Sequence, residues 1–269
     1  MNRIRFLGKT LLAVLLCFTV IRVAMHFSQD FRFMVYHLRD YVIMAQFFPI
    51  TPKFWAHRCN DTRKMEEMMT KYKGVELDII FYPTKDGGSF EVSHDPQPAL
   101  KHPLDSFFAL FASSQGTNCW LDLKNLNKRT AKPALRELER LVTKYQIDKK
   151  HLILESSNYA FLGAFRRQGY YTSYYCPVND KRYLDTNAHK KEFMRLVNNA
   201  VKSGNVDAVS FPISYYSLIK GANVGVDYLT WYVGHRGWID FYFDQKLKSV
   251  LQDKQVKVIL VTANSRYNR

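Results

Sequence analysis

The chain has 269 residues, 47% of them apolar, which is material for one large packed domain, and an α/β barrel of this size is ordinary. Lysine and arginine number 39 against 24 aspartates and glutamates, a net charge of +15 that favours anionic partners such as phospholipid surfaces, phosphate esters or nucleic acid. Neither zinc-finger spacing nor an aromatic-glycine strand motif is present, which sets nucleic acid aside.

Met1 to Phe27 opens with Arg3, Arg5 and Lys9, runs uncharged from Thr10 to Ile21, and is broken by Arg22. That apolar run suits a signal peptide, yet Phe6 to Phe27 spans a bilayer if Lys9 and Arg22 snorkel towards the headgroups. Arg22-Val23-Ala24 puts arginine where a cleavage site needs a small residue, so the stretch reads as an uncleaved transmembrane anchor. Its basic end then lies in the cytoplasm and the rest of the chain outside, in the periplasm of a Gram-negative cell. Residues 28–52 form a juxtamembrane segment whose Phe31–Phe48 portion mixes aromatic and aliphatic residues with charges. It suits a helix at the membrane interface or one capping the domain, and Pro49 and Pro52 stop it.

From Lys53 to the C-terminus short apolar runs alternate with amphipathic ones. The strand-like runs are Phe54–Arg58, Val75–Ile80, Trp120–Lys124, Leu152–Glu155, Tyr171–Tyr175, Ala208–Phe211, Tyr228–Val233 and Val256–Thr262. Between them apolar residues recur at spacings of three and four: Met65, Met68, Met69, Tyr72; Leu135, Leu138, Leu141, Val142, Tyr145; Phe193, Leu196, Val197, Ala200, Val201. Eight strands alternating with helices predict a TIM (β/α)8 barrel over residues 53–269, with its active site at the C-terminal strand ends.

The candidate chemistry sits at those ends. Glu76 and Asp78, at i and i+2 on one strand, share a face, while Val75 and Leu77 point the other way. Buried carboxylates need a cation, either a metal ion or a lysine or arginine. A hairpin with turn signal Asp86-Gly87-Gly88 follows, and its second strand sets Phe90, Val92 and His94 on one face. His57 ends the first strand, and Asp122 and Lys124 share a face at the end of the third.

Together His57-Arg58, Glu76-x-Asp78, Thr84-Lys85-Asp86-Gly87, His94-Asp95 and Asp122-x-Lys124 resemble the glycerophosphodiester phosphodiesterase family, within the PI-PLC-like phosphodiesterase superfamily. The match is strongest over Trp55 to Asp95 and is one of pattern beyond Lys124. The resemblance implies a TIM barrel, acid-base work by His57 and His94, and a divalent cation on Glu76, Asp78 and Asp122. Two positions depart from it: Cys59 stands where the family has glycine, and Asp122 where it has glutamate. The aspartate is similar to the spider-venom sphingomyelinase D branch, and Trp231 and Asn264 look similar to head-group and phosphate-contacting positions there.

These residues imply a metal-dependent phosphodiesterase acting on glycerophosphodiesters or phospholipid head groups. A cation held by oxygens alone is Mg²⁺ or Ca²⁺ rather than zinc. Lys124 adds charge where the transition state grows more negative, and Arg58 either grips phosphate oxygens or pairs with a loop acid. Two other readings stay open: a non-catalytic barrel that binds an anionic ligand or partner, and a metal-independent PI-PLC-type lyase. Glu155 ends the fourth strand on the same face as a supporting group. The segments Asn179–Asn187 and Gly221–Gly225 read as lips of the site. Among Cys59, Cys119 and Cys176 at least one must be free, and a Cys59–Cys176 disulfide is permitted.

Overall fold

The eight runs read as core strands all form strands, and they pair side by side into a closed cylinder. A computed structural model of the chain describes residues 16–21, 51–85, 87–96, 101–114, 116–177, 186–231, 245–263, 265 and 267. The chain divides into two units, Pro49–Ala263 and Met1–Phe48 with Asn264–Arg269. In the second, residues 16–21 are helical and expose Leu16, Phe18, Val20 and Ile21. Among the described residues no helix is long and apolar enough to cross a membrane. Most of the anchor expected over residues 1–27, and the segment Phe31–Phe48, lie outside the described residues.

The unit Pro49–Ala263 contains, in order, β1 (Phe54–His57), α1 (Thr62–Met69), β2 (Gly74–Thr84), β3 (Gly87–Val92), α2 (Leu104–Ser113), β4 (Asn118–Leu123) and α3 (Ala131–Lys144). There follow β5 (Leu152–Ser156), α4 (Leu162–Arg167), β6 (Tyr171–Tyr175), α5 (Asn187–Lys202), β7 (Ala208–Pro212), α6 (Tyr216–Ala222), β8 (Asp227–Trp231), α7 (Gln245–Gln252) and β9 (Val256–Thr262). All strands but β3 run parallel to their neighbours, and β1 pairs with both β9 and β2. The eight parallel strands therefore close on one another, as in a TIM barrel, with β3 appended outside the ring. β3 folds back antiparallel on the far part of β2, from Ile79↔Val92 to Thr84↔Gly87.

Side-chain alternation sorts the strands into two cores. Outward residues such as Val75, Leu77, Leu121, Leu154 and Phe211 are buried under the helices, which press on them Met65 and Met68, Leu138 and Leu141, and Phe193 and Val197. Inward residues Trp55, Trp120, Ile153, Ala208, Leu229, Val258 and Leu260 pack together inside the barrel. Two residues further along, on the same inward phase, the chemistry changes: Trp55 gives way to His57, Trp120 to Asp122, Ile153 to Glu155, Ala208 to Ser210 and Leu229 to Trp231. An apolar floor thus carries a polar layer at the C-terminal strand ends.

Gly74 shows how tightly the floor is packed, since a Cβ there would lie 2.2 Å from the Trp55 ring. Gly74→Ala is expected to lower stability by about 1–3 kcal/mol through overpacking, read as a reduced urea midpoint with unchanged slope.

Three expectations are corrected. β1 ends at His57, and Arg58 turns into the left-handed region with φ 54° instead of continuing the strand. Gly221–Gly225 joins α6 to the start of β8, so it lies at the N-terminal strand ends, away from the site. β3 ends at Val92, so His94 follows the strand rather than closing it. In addition α2 was not foreseen from sequence. Its near-continuous run Phe107-Phe108-Ala109-Leu110-Phe111 lacks the polar face by which a helix is recognised, because Phe107, Phe108 and Phe111 are all buried. The cysteines Cys17, Cys59, Cys119 and Cys176 are all free, so Cys59 and Cys176 are not joined.

Candidate active site

Glu76 and Asp78 share the inward face of β2, and Asp122 on β4 lies directly across from Asp78 in the register. Carboxylate oxygens of the three lie within 4.8 Å of one another, and all three residues are buried. Burial pushes the Glu76 carboxyl well above the usual range, and the charges of Asp78 and Asp122 add to the rise. Burial likewise raises Asp122, with Lys124 offsetting only part of it. Asp78 moves the other way: against its own burial, the Lys124 ammonium and the Asn60 amide hold it below the ordinary value.

Lys124 follows β4 and reaches back between the strands, its Nζ 2.7 Å from Asp78 Oδ1 and paired also with Asp122 Oδ2. These two carboxylates outweigh its burial and keep it charged. One ammonium does not balance three buried carboxylates. The remaining negative charge, on oxygen donors alone, fits a hard divalent cation held by Glu76, Asp78 and Asp122.

Asn60 was missed from the sequence, where an asparagine beyond a strand carries no signal. Its Nδ2 donates to Asp78 Oδ2 at 2.7 Å, and its Oδ1 accepts from the Asp78 N–H at 3.0 Å, fixing the rotation of that carboxylate. Asn60→Ala is expected to weaken Mg²⁺ or Ca²⁺ binding by about tenfold to a hundredfold, measured by calorimetry, because the ligand loses its orienting partner.

At the end of β1, His57 Nε2 lies 3.7 Å from Glu76 Oε2, and Lys64 Nζ donates to the His57 carbonyl at 3.3 Å. The left-handed turn at Arg58 aims its N–H at Glu76 Oε2, 2.6 Å away, so the backbone of Arg58 rather than its guanidinium serves this carboxylate. A non-glycine residue in that region is strained by about 1–3 kcal/mol, a cost that persists where surrounding structure imposes it. The Arg58 side chain is exposed and lines the cavity above the acids.

Burial, reinforced by the neighbouring Arg58 charge, pushes His57 down to about 4. Its imidazole is neutral at pH 7 and free to accept a proton. An unfolded imidazole titrates near pH 6.5, so between that pH and 4 the unfolded chain takes up a proton that the folded chain refuses. The contribution is complete above pH 6.5 and is lost as pH falls through this window, by roughly 3 kcal/mol. In chelator the stability lost between pH 7 and pH 4 is therefore expected to be smaller for His57→Asn than for the unaltered chain, by urea denaturation.

His94 reaches the cavity from the segment after β3. Its side chain is 46% exposed, and its Nδ1 lies 3.1 Å from Asp95 Oδ1. The opposite wall is aromatic: Tyr175 at the end of β6 and Trp231 at the end of β8 stack at 5.2 Å between centroids and 14° between planes. Glu155 lies between this wall and the acids, across from Asp122 in the β4–β5 register, and Ser173 Oγ donates to its Oε2 at 2.9 Å. Burial, then the charge of Asp122, raises Glu155 well above its usual range. One cavity thus brings together His57, Arg58, Glu76, Asp78, His94, Asp122, Lys124, Glu155 and Trp231, all singled out in the sequence, and adds Tyr175. Asn264 and most of Asn179–Asn187 lie outside the described residues.

No family model matches this chain, and no curated protein matches it in sequence. Solved structures do match. A glycerophosphodiester phosphodiesterase from Parabacteroides distasonis aligns with a TM-score of 0.53 at 18% identity, over 78% of this chain and 92% of its own. An Oleispira antarctica phosphodiesterase, solved in complex with the product sn-glycerol-3-phosphate, aligns with a TM-score of 0.51 at 12% identity, over 80% of this chain and 94% of its own. At such identities the likeness is one of fold.

Proposed function

We propose that the chain is a metal-dependent phosphodiesterase that cleaves glycerophosphodiesters or phospholipid head groups by acid-base catalysis between His57 and His94. The observation that carries this reading is the single cavity in which three buried carboxylates meet, with an imidazole on either side. The fold shared with glycerophosphodiester phosphodiesterases supports it.

Glu76, Asp78 and Asp122 would hold Mg²⁺ or Ca²⁺, which when bound neutralises phosphoryl oxygens and makes the phosphorus open to attack. Arg58 and Lys124 add positive charge around the anion, strengthening as the transition state becomes more negative. His57, neutral at pH 7, takes the proton of the attacking water or substrate hydroxyl. His94, whose Nδ1 lies 3.1 Å from the Asp95 carboxylate, returns a proton to the leaving alkoxide. The test is release of the head-group alcohol from glycerophosphodiesters and lysophospholipids with added Mg²⁺ or Ca²⁺. Activity is expected to vanish in EDTA and to return with either cation.

A second reading, a metal-independent lyase, is favoured by Lys124, whose ammonium already bridges Asp78 and Asp122. It predicts turnover that survives EDTA and yields a cyclic phosphate. For the N-terminal stretch our proposal is an uncleaved anchor that holds the barrel outside the cytoplasm. Recovery of an N-terminally shortened chain from the soluble periplasmic fraction would overturn it.

A further inference from the structure

We infer that Glu91 is a positioning residue: it clasps the segment that carries His94 and so sets where that imidazole stands beside the acids. The inference rests on the phosphodiesterase reading of the cavity, in which His94 protonates the leaving group.

His57, Glu76, Asp78 and Asp122 stand on strands of the barrel, whereas His94 follows the end of the appended strand β3. Its ring has little to fix it from outside. Among the described residues the imidazole hydrogen-bonds to Asp95 alone, and both side chains are exposed. The place of His94 therefore depends on the backbone that carries it, and that backbone is tied twice. Next to it the Ser93 N–H donates to the Asp78 carbonyl at 2.9 Å, which links the segment to a strand bearing two of the acids.

The second tie is made by Glu91. Its Oε1 accepts from the Lys101 N–H at 2.9 Å and from the His102 N–H at 2.8 Å, and its backbone bridges to Pro103, the residue before α2. Beside it the Val92 N–H donates to the His102 carbonyl at 2.8 Å. Side chain and backbone of one residue thus hold Lys101, His102 and Pro103 against the strand that leads directly to His94.

The residue type argues for more than packing. Glutamate is disfavoured in strands, and a buried carboxyl is costly unless its oxygens are bonded. Glu91 is fully buried, and among the described residues its Oε2 has no hydrogen-bond partner. An apolar residue such as its neighbours Phe90 and Val92 would fill the strand without that cost, but it could not accept two amide hydrogens. With those two bonds the chain on either side of His94 is anchored, and the imidazole is kept at the cavity, where a proton donor must stand within reach of the leaving oxygen.

The experiment measures kcat and KM with Mg²⁺ for the unaltered chain, Glu91→Ala and Glu91→Gln. Two substrates are used, the glycerophosphodiester cleaved fastest by the unaltered chain and bis-p-nitrophenyl phosphate, whose leaving group needs no proton. A proton donor misplaced by about an ångström costs about a hundredfold, so Glu91→Ala is expected to lower kcat on the glycerophosphodiester by about that factor and on the nitrophenyl ester by far less. KM and calorimetric Mg²⁺ binding should change little. Glu91→Gln keeps an acceptor at Oε1 and is expected to retain most of the rate. A loss equal on both substrates, no loss, or a glutamine variant as slow as the alanine one would overturn the inference and leave the phosphodiesterase reading standing. Should Glu91→Ala not fold by circular dichroism, Glu91→Asp, which withdraws the oxygen by one methylene, takes its place. If the unaltered chain cleaves no diester, that reading falls, and amide hydrogen exchange decides the clasp. Val92 and Ser93 exchanging faster by about tenfold or more in the variant, with β4 unchanged, supports it, and equal exchange overturns it.

Discussion

Alanine at His57 is expected to lower kcat for glycerophosphodiester hydrolysis by about 10²- to 10⁴-fold, the usual loss when a positioned proton acceptor is removed. His57 is neutral where its ordinary counterpart would be partly charged, because burial and Arg58 oppose the charged form. It is therefore ready to accept a proton across the whole neutral range. His94→Ala should cost as much on substrates with alkyl leaving groups, yet far less on a nitrophenyl phosphodiester, whose leaving group departs without protonation. The contrast between leaving groups separates the two histidines. A His57→Ala loss that shrank with the better leaving group would reverse their roles, and equal activity of both variants and the unaltered chain would remove them from the chemistry.

The second large effect concerns the acids. Mg²⁺ or Ca²⁺ at a hundred times its dissociation constant is expected to stabilise the fold by about 2.7 kcal/mol, seen as a raised Tm, and Asp122→Asn should abolish most of the rise. The sign follows from the crowded carboxylates. Glu76 and Asp122 are raised in the folded state, so without a cation their contribution to stability grows as pH falls through their folded values and is lost as pH rises. A bound dication reverses this by favouring the ionised forms. Binding should release protons, measurable by calorimetry in buffers of different ionisation enthalpy. A Tm indifferent to both cations at pH 7 would favour the lyase reading.

Most of the barrel was legible because its signals are local. A parallel strand buried on both faces reads as a short apolar run, and the helices that cover it read as apolar stripes. The polar residues that interrupt such runs at their far ends, His57, Glu76, Asp78 and Asp122, stand out against that background. Features that depend on backbone geometry did not. The left-handed turn at Arg58 is absent from any periodicity, and it gives a residue read only for its guanidinium a second part as backbone donor to Glu76. Asn60 is held to Asp78 across the gap between two strands, a relation between positions 18 residues apart. Tyr175 and Trp231 were two unrelated aromatics until the barrel closed and placed their rings together.

The floor of Trp55, Trp120, Leu229 and Leu260 bears on how the reaction cycle ends. Side chains packed across the strands leave no passage through them towards the opposite rim, so under the proposed reaction both products depart by the doorway through which the substrate came. On the proposed phosphodiesterase reading a phosphate monoester product and the diester substrate share one entrance and one set of acids, so added monoester is expected to slow turnover competitively.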